Sequence, residues 1–216
     1  MTDEGSPPGP RRRDAALNDR KILASARAVF IADPGAPIGA VARHAGVGIA
    51  ALYRRYPSKE ELLRALCAEG LGRYIDAAET ALAAHADPWD ALAGFMRAAV
   101  EADASSLTVR LAGTFTPTED LYRAAARAGE LNVELFGRAQ RAGAVRADAD
   151  VNDLAIIFEQ LASIRVGDEQ RRRELRRRYL ALALDGLRSV VGEPLPGPPP
   201  ASEELVARWR TSTAAG

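Results

Sequence analysis

Two neighbouring arginines, Arg54 and Arg55, close a short apolar pattern and can bind nucleic acid. A guanidinium group can donate two parallel hydrogen bonds to a guanine edge, or it can clamp a phosphate. The first turn of the same predicted helix holds smaller residues: Gly48, Ile49, Ala50 and Ala51. Ile49 and Ala50 can contact thymine methyl groups, but their side chains donate no hydrogen bonds. Polar contacts with DNA therefore fall to the two arginines.

A pair of short helices must position these side chains. The spacing of apolar residues predicts one helix over Ile38 to Ala45 and a second over Ile49 to Arg55, with Gly46 between them. Glycine readily takes the left-handed conformation that ends a helix and turns the chain. Two helices joined by so short a bend form a helix-turn-helix, whose second helix enters the DNA major groove and reads bases with its first turn.

Residues around this unit follow a longer pattern, which consists of Val41-Ala42, Ala45-Gly46-Val47, Leu52-Tyr53, Tyr56, Lys59 and Leu62-Leu63. Over roughly residues 15 to 66, this pattern resembles the DNA-binding domain of the TetR family of bacterial one-component repressors. The resemblance implies that Tyr53 and Lys59 lie on the phosphate backbone of DNA.

The sequence departs from the family pattern at two positions. Gly48 and Ala51 stand where family members often have serine and threonine, which give phosphate contacts. Their absence should shift more of the binding to Arg54, Arg55 and Lys59.

Charge is distributed unevenly along the chain. The segment from Arg11 to Arg64 has eleven basic and five acidic residues, a net charge of +6; since the whole chain has 29 of each sign, the remainder carries −6. A basic head on an acidic body fits DNA binding by one part only. Arg11, Arg12 and Arg13 precede the first helix, and they either reach DNA as an arm or form a solvated charge run.

Composition and periodicity predict an all-α protein. Hydrophobic residues make up 47% of the 216, and the three-and-four spacing of helices recurs throughout. We expect an N-terminal three-helix helix-turn-helix DNA-binding domain and a larger helical domain for ligand binding and dimerisation. The predicted segments are a disordered basic arm (1–14), the helix-turn-helix domain (15–60), the larger domain (61–191), and a Pro-rich linker with a short C-terminal helix (192–216).

Helix boundaries follow from breakers and periodicity. The first helix is expected to begin near Ala15 or Asn18 and to end at Ile31, before Asp33-Pro34-Gly35. Later helical patterns run over residues 74–84, 88–102, 106–111, 118–142, 152–166 and 169–191.

The middle of the chain holds candidates for an inducer pocket. They are mostly apolar, with two polar anchors: Phe95, Met96, Arg110, Phe115, Tyr122, Phe136 and Gln140. Side chains of these types either fill a core or line a cavity between helices, and the sequence leaves both interpretations open.

The last two body helices have wide apolar faces and predict a homodimer. Pairing of both helices from two subunits would form a four-helix bundle, the usual interface in the resembled family. The candidate interface residues are Phe158, Leu161, Ile164, Tyr179, Leu182 and Leu187. Six arginines between Arg171 and Arg178 are interpreted as the solvated side of an interface helix, against the alternative of a second nucleic-acid patch.

These observations predict a ligand-responsive transcriptional regulator, a repressor that a small, largely apolar ligand releases from a palindromic operator; activation is the open alternative. A catalytic site is not expected, because the chain has one cysteine and two histidines, no metal-spaced ligand set and no phosphate-binding glycine loop. No metal and no cofactor is predicted. The alternative is a DNA-binding protein without sequence preference. Such a protein would have no use for the long apolar patterns of the larger domain. The absence of a long apolar run and of a signal-peptide core predicts a cytoplasmic protein with no membrane partner.

Overall fold

A computed structural model describes residues 10–103, 114–188 and 193–207, with side chains from Leu17 onward. Within these residues the chain forms nine α-helices and no β-strand, and one isolated antiparallel bridge joins Val145 to Arg188. The all-α prediction is confirmed. None of the described helices is long and apolar enough to cross a membrane. The chain divides into an N-terminal unit, Met1–Leu66, and a C-terminal unit, Cys67–Gly216.

The N-terminal unit contains three helices and the beginning of a fourth. These are α1 (Pro10–Ala32), α2 (Ile38–Ala45), α3 (Ile49–Arg55) and α4 (Lys59–Ala84), which continues into the C-terminal unit. Ile22 and Phe30 of α1 pack in a core with Val41 of α2 and Leu52 of α3, all of them at most 3% exposed. This core fixes the face of α3 that remains outside.

Helix α1 begins at Pro10, so the predicted start near Ala15 or Asn18 is wrong and residues 10–14 of the predicted arm are helical, while residues 1–9 lie outside the described residues. Proline suits the first helical position because it has no amide hydrogen to satisfy, and no breaker stands between Pro10 and Ala15. Arg11, Arg12 and Arg13 therefore belong to the helix, while their side chains lie outside the described residues.

The turn between α2 and α3 has the conformation that glycine favours. Gly46 has φ +63° and ψ +34°, and the Val47 amide donates to the Ala42 carbonyl over 3.0 Å. This is the six-to-one bond of a Schellman motif, which ends α2 after Ala45. At the start of α4, the Glu61 amide donates to Ser58 Oγ over 3.1 Å, so Ser58 caps this helix.

The C-terminal unit contains the rest of α4 and five further helices. They are α5 (Pro88–Glu101), α6 (Glu119–Arg141), α7 (Asp153–Ala162), α8 (Glu169–Leu187) and α9 (Ser202–Ala207). Helix α4 runs unbroken to Ala84, so the separate helix predicted from residue 74 is part of it. Helices α7 and α8 end earlier than the predicted residues 166 and 191. The predicted helix over 106–111 lies outside the described residues.

An aromatic cluster lies in the core of the C-terminal unit. Tyr74, Phe95 and Phe158 meet edge to face, with ring centroids 5.0 to 6.0 Å apart. The Tyr74 hydroxyl donates to Asn132 Oδ1 over 2.9 Å. Burial raises the pKa of Tyr74 far above its usual value, because a phenolate there would lose its hydration. The cluster joins α4, α5 and α7, and the hydrogen bond adds α6.

Candidate nucleic-acid interface

Helix α3 has one buried and one exposed face. Leu52 is fully buried, and Tyr56, which follows the helix, is 5% exposed. The sequence-predicted DNA contacts lie on the other side: Gly48, Ile49, Ala50, Tyr53, Arg54 and Arg55 are exposed, and Ala51 is half-buried. Ile49 and Tyr53 keep 46% and 45% of their surface accessible. An apolar first turn followed by aromatic and cationic side chains therefore forms one continuous exposed face.

The two arginines of α3 have different surroundings. The Arg55 Nε group donates to both carboxylate oxygens of Asp19 on α1, over 2.7 and 2.8 Å. Its guanidinium carbon lies 5.4 Å from the centroid of the Tyr56 ring. The hydrogen bond to Asp19 and the negative charge of Asp19 raise the pKa of Arg55 above its usual value, so this side chain is always cationic. Arg54 forms no hydrogen bond or ion pair within the described residues.

Lys59 lies at the first position of α4 and is half-buried. Its ammonium donates to the Pro34 carbonyl over 3.0 Å and lies 5.1 Å from the centroid of the Phe30 ring. One of its three N–H donors thus ties the start of α4 to the turn after α1, and the other two have no hydrogen-bond acceptor among the residues that the structure describes. The side chain has a structural role beside the phosphate contact that the resemblance implies.

Comparisons with known proteins agree with the helix-turn-helix geometry of the N-terminal unit. A family model described as "Bacterial regulatory proteins, tetR family" matches residues 22–66. A second, described as "Transcriptional regulator SbtR-like, C-terminal domain", matches residues 87–189. A TetR transcription regulatory protein from Mycobacterium vanbaalenii is 35% identical over 83% of this chain and 99% of its own, with a TM-score of 0.53. The chain belongs to the TetR family.

Two further solved structures are similar to this TetR-family protein. A TetR transcriptional regulator from Streptomyces coelicolor is 29% identical, covers 81% of this chain and 99% of its own, and has a TM-score of 0.56. The TetR-like regulator LfrR from Mycobacterium smegmatis, solved with proflavine, shares the fold at 21% identity and a TM-score of 0.57, covering 82% of this chain and 99% of its own. A comparison with curated proteins found no match. Family membership makes the chain a DNA-binding transcriptional regulator.

The body of this TetR-family chain brings some of the predicted pocket residues together. Phe95, Met96 and Phe136 belong to one core cluster and are at most 3% exposed. Phe115 is buried outside that cluster. Tyr122, in contrast, is 57% exposed and lies on the surface. The amide of Gln140 donates to the Ala149 carbonyl over 3.0 Å. Arg110 lies outside the described residues.

A depression of about 440 Å³ lies elsewhere, between α5 and α8. Its lining is Arg97, Ala98, Val100, Glu101, Arg177, Leu180, Ala181 and Leu184, which includes none of the predicted pocket residues. Glu101 and Arg177 form an ion pair at its edge. This ion pair and Arg97 give the depression a charged rim. Among the described residues, no group of three or more His, Cys, Asp or Glu side chains could hold a metal ion.

The predicted interface residues differ in their exposure. Phe158, Leu161 and Leu187 are 3 to 5% exposed and pack in the core of their own unit. Tyr179 and Leu182 of α8 are 50% and 57% exposed. Ile164 is half-buried. The accessible part of the predicted interface is therefore the outer stripe of α8.

Ion pairs occupy most of the arginine cluster on α8. Five of its six arginines pair with carboxylates of α5, of α8 or of Asp103 in the turn after α5: Arg171, Arg172, Arg173, Arg176 and Arg177. An arginine that is paired with a carboxylate attracts a phosphate backbone less strongly, which disfavours the alternative of a second nucleic-acid patch.

Proposed function

We propose that this chain is a homodimeric repressor that binds a palindromic operator and is released from it by a small, largely apolar ligand. In this proposal residues 15–60 bind DNA, and residues 61–191 bind the ligand and hold the dimer. The observation that carries the proposal is the exposed face of α3, where Ile49, Tyr53 and Arg54 are accessible while Leu52 is buried.

Each residue type on this face has a role in reading DNA. Ile49 and Ala50, in the first turn, contact thymine methyl groups in the major groove. Tyr53, Arg54, Arg55 and Lys59 contact the backbone or a guanine edge. These contacts position the helix and supply most of the salt-dependent affinity. The first turn supplies the sequence preference, which is expected to favour A·T pairs at the positions it contacts.

Dimer symmetry fixes the form of the operator. Two copies related by a twofold axis present two α3 helices, so the site should be an approximate palindrome with half-sites about 34 Å apart or a multiple of that. Tyr179 and Leu182 support α8 as a contributor to the interface, since exposed apolar side chains on one stripe gain by burial.

Release follows if the ligand binds better to a conformation that does not bind DNA. The core around Phe95, Met96 and Phe136 is closely packed, so a ligand entering there must open it. Such opening would couple ligand binding to a different arrangement of α4, which contributes Tyr74 to the same core.

The test is selection of random duplex DNA by the purified protein, followed by titration of the enriched sequence and a scrambled duplex at physiological salt. We expect a palindrome bound at least a thousandfold more tightly than the scrambled duplex. Equal binding to both duplexes would reject sequence-specific regulation. The enriched duplex then serves as the probe for ligands that release the protein.

A further inference from the structure

We propose that Asp19 is a positioning residue for DNA binding: it holds Arg55 in place so that both Nη groups remain free to bind a phosphate. The proposal rests on the DNA-binding function proposed above. Its observation is the contact between α1 and the last turn of α3, in which one N–H group of Arg55 is shared between the two oxygens of Asp19, at 2.7 and 2.8 Å.

The way in which Arg55 is held leaves its outer donors available. Only Nε takes part in the contact, and within the described residues neither Nη group donates a hydrogen bond. The Tyr56 ring lies 5.4 Å from the guanidinium carbon and restricts the side chain further. Asp19 keeps 26% of its side chain accessible and Arg55 keeps 57%, so the pair has a shielded acidic end and an open cationic end.

The position of Arg55 on the helix points to phosphate as the group it binds. Base edges are contacted by the first residues of a docked reading helix, which here are Ile49 and Ala50. Arg55 is the last residue of α3, at the end where the helix leaves the groove. Planar guanidinium donors match the oxygens of a phosphate there.

An acidic residue in a DNA-binding unit needs a reason. Asp19 places a negative charge close to the phosphates that the unit must bind, and this charge alone weakens binding. An exposed ion pair also contributes little to fold stability. The charge is useful if it keeps Arg55 from searching many rotamers, because a side chain fixed in advance loses less entropy on binding. Arg54, its neighbour, forms no ion pair within the described part of the chain and provides the contrast.

The experiment measures affinity of the full-length protein for the selected operator and for a scrambled duplex, with variants D19A, D19N, R54A, R55A, D19A/R54A and D19A/R55A. D19A should weaken operator binding about 5- to 100-fold, because each dimer loses two fixed side chains. Binding of D19A to the scrambled duplex should weaken as well, since a phosphate contact carries no sequence information. R55A should lower the slope of log affinity against log salt by about two per dimer.

Two comparisons separate positioning from a structural role. In the R55A background, D19A should cause no further loss of operator affinity, since Asp19 then has nothing to hold. R54A removes an equal charge, and its loss should be the same with and without D19A. D19N retains a neutral acceptor and should lie between wild type and D19A, and it replaces D19A if that variant fails to fold.

Two results would overturn the proposal: D19A binding the operator as tightly as wild type, or D19A losing as much affinity in the R55A background as in wild type. A wild-type protein that selects no operator would reject the proposed function itself, before any variant is compared.

Discussion

Replacing Leu182 with glutamate tests the proposed dimer, because the side chain lies on the outer stripe of α8 and is 57% exposed. Full burial of a leucine contributes about 1.5–3 kcal/mol. The exposed share of Leu182 would therefore contribute about 1–1.7 kcal/mol in each subunit. A twofold interface contains the residue twice, so L182E should cost about 2–3 kcal/mol of dimerisation free energy.

This loss corresponds to a dimer dissociation constant raised about 30- to 140-fold, since each 1.4 kcal/mol is a factor of ten. Burial of the new carboxylate would increase the loss. Sedimentation equilibrium over a range of protein concentrations measures the constant directly. Circular dichroism should show an unchanged helical fold, because Leu182 contributes little to the core of its own subunit.

Val133 supplies the matched control. It is an apolar residue that is 60% exposed on α6, outside the proposed interface. V133E should leave the dissociation constant unchanged. Equal dissociation constants for L182E and wild type would refute the reasoning, as would an equal effect of V133E. Leu161 is a poor choice for this test, since it is 5% exposed and a charge there would destabilise the monomer itself.

Three further substitutions test the fold. Gly46→Ala should lower the free energy of unfolding by about 1–2 kcal/mol, because φ is +63° there. Gly129→Ala, at an exposed and uncrowded site within α6, should raise the free energy of unfolding by about 0.5–1 kcal/mol. Thermal unfolding that shows a change of the same sign for both variants would contradict this account. Tyr74→Phe should cost about 1 kcal/mol at neutral pH, because Asn132 loses its donor. Since burial raises the pKa of Tyr74, wild type should lose stability as pH rises above about 10, by up to about 1.4 kcal/mol per pH unit. Denaturant titrations from pH 8 to 11 should show a shallower fall for the phenylalanine variant, and parallel curves would contradict the assignment.

Local signals fix the helix-turn-helix from the sequence alone. The observed bounds of α2 and α3 equal the predicted ones, Ile38–Ala45 and Ile49–Arg55. Each boundary has a cause within a few residues, such as the missing amide hydrogen of Pro37 or the positive φ of Gly46. A short unit with a marked stop between its helices leaves few alternatives.

Boundaries without such signals were harder to predict. Helix α4 crosses the point where a new helix was predicted at Tyr74, because periodicity can mark a helical stretch without showing whether it joins the preceding one. Helix α7 ends at Ala162, although apolar spacing continues to Val166. The Ser163 hydroxyl donates to the Gln160 carbonyl over 2.7 Å and takes up one of the carbonyls left open at that end.

The sequence alone does not show which distant segments of the chain pack against each other, and this limits what it predicts about the site. Apolar spacing on α8 predicted a wide face, but only packing separates Leu180 and Leu184, which are buried, from Leu182, which is exposed. The same limit applies to Asp19 and Arg55, which lie 36 residues apart. Summed charge counts Asp19 as one acid that weakens a basic unit, whereas the fold places its carboxylate on a single N–H group of Arg55. What an ionisable residue contributes to DNA binding therefore depends on which atoms of its partner it leaves free, and this is a property of the folded chain alone.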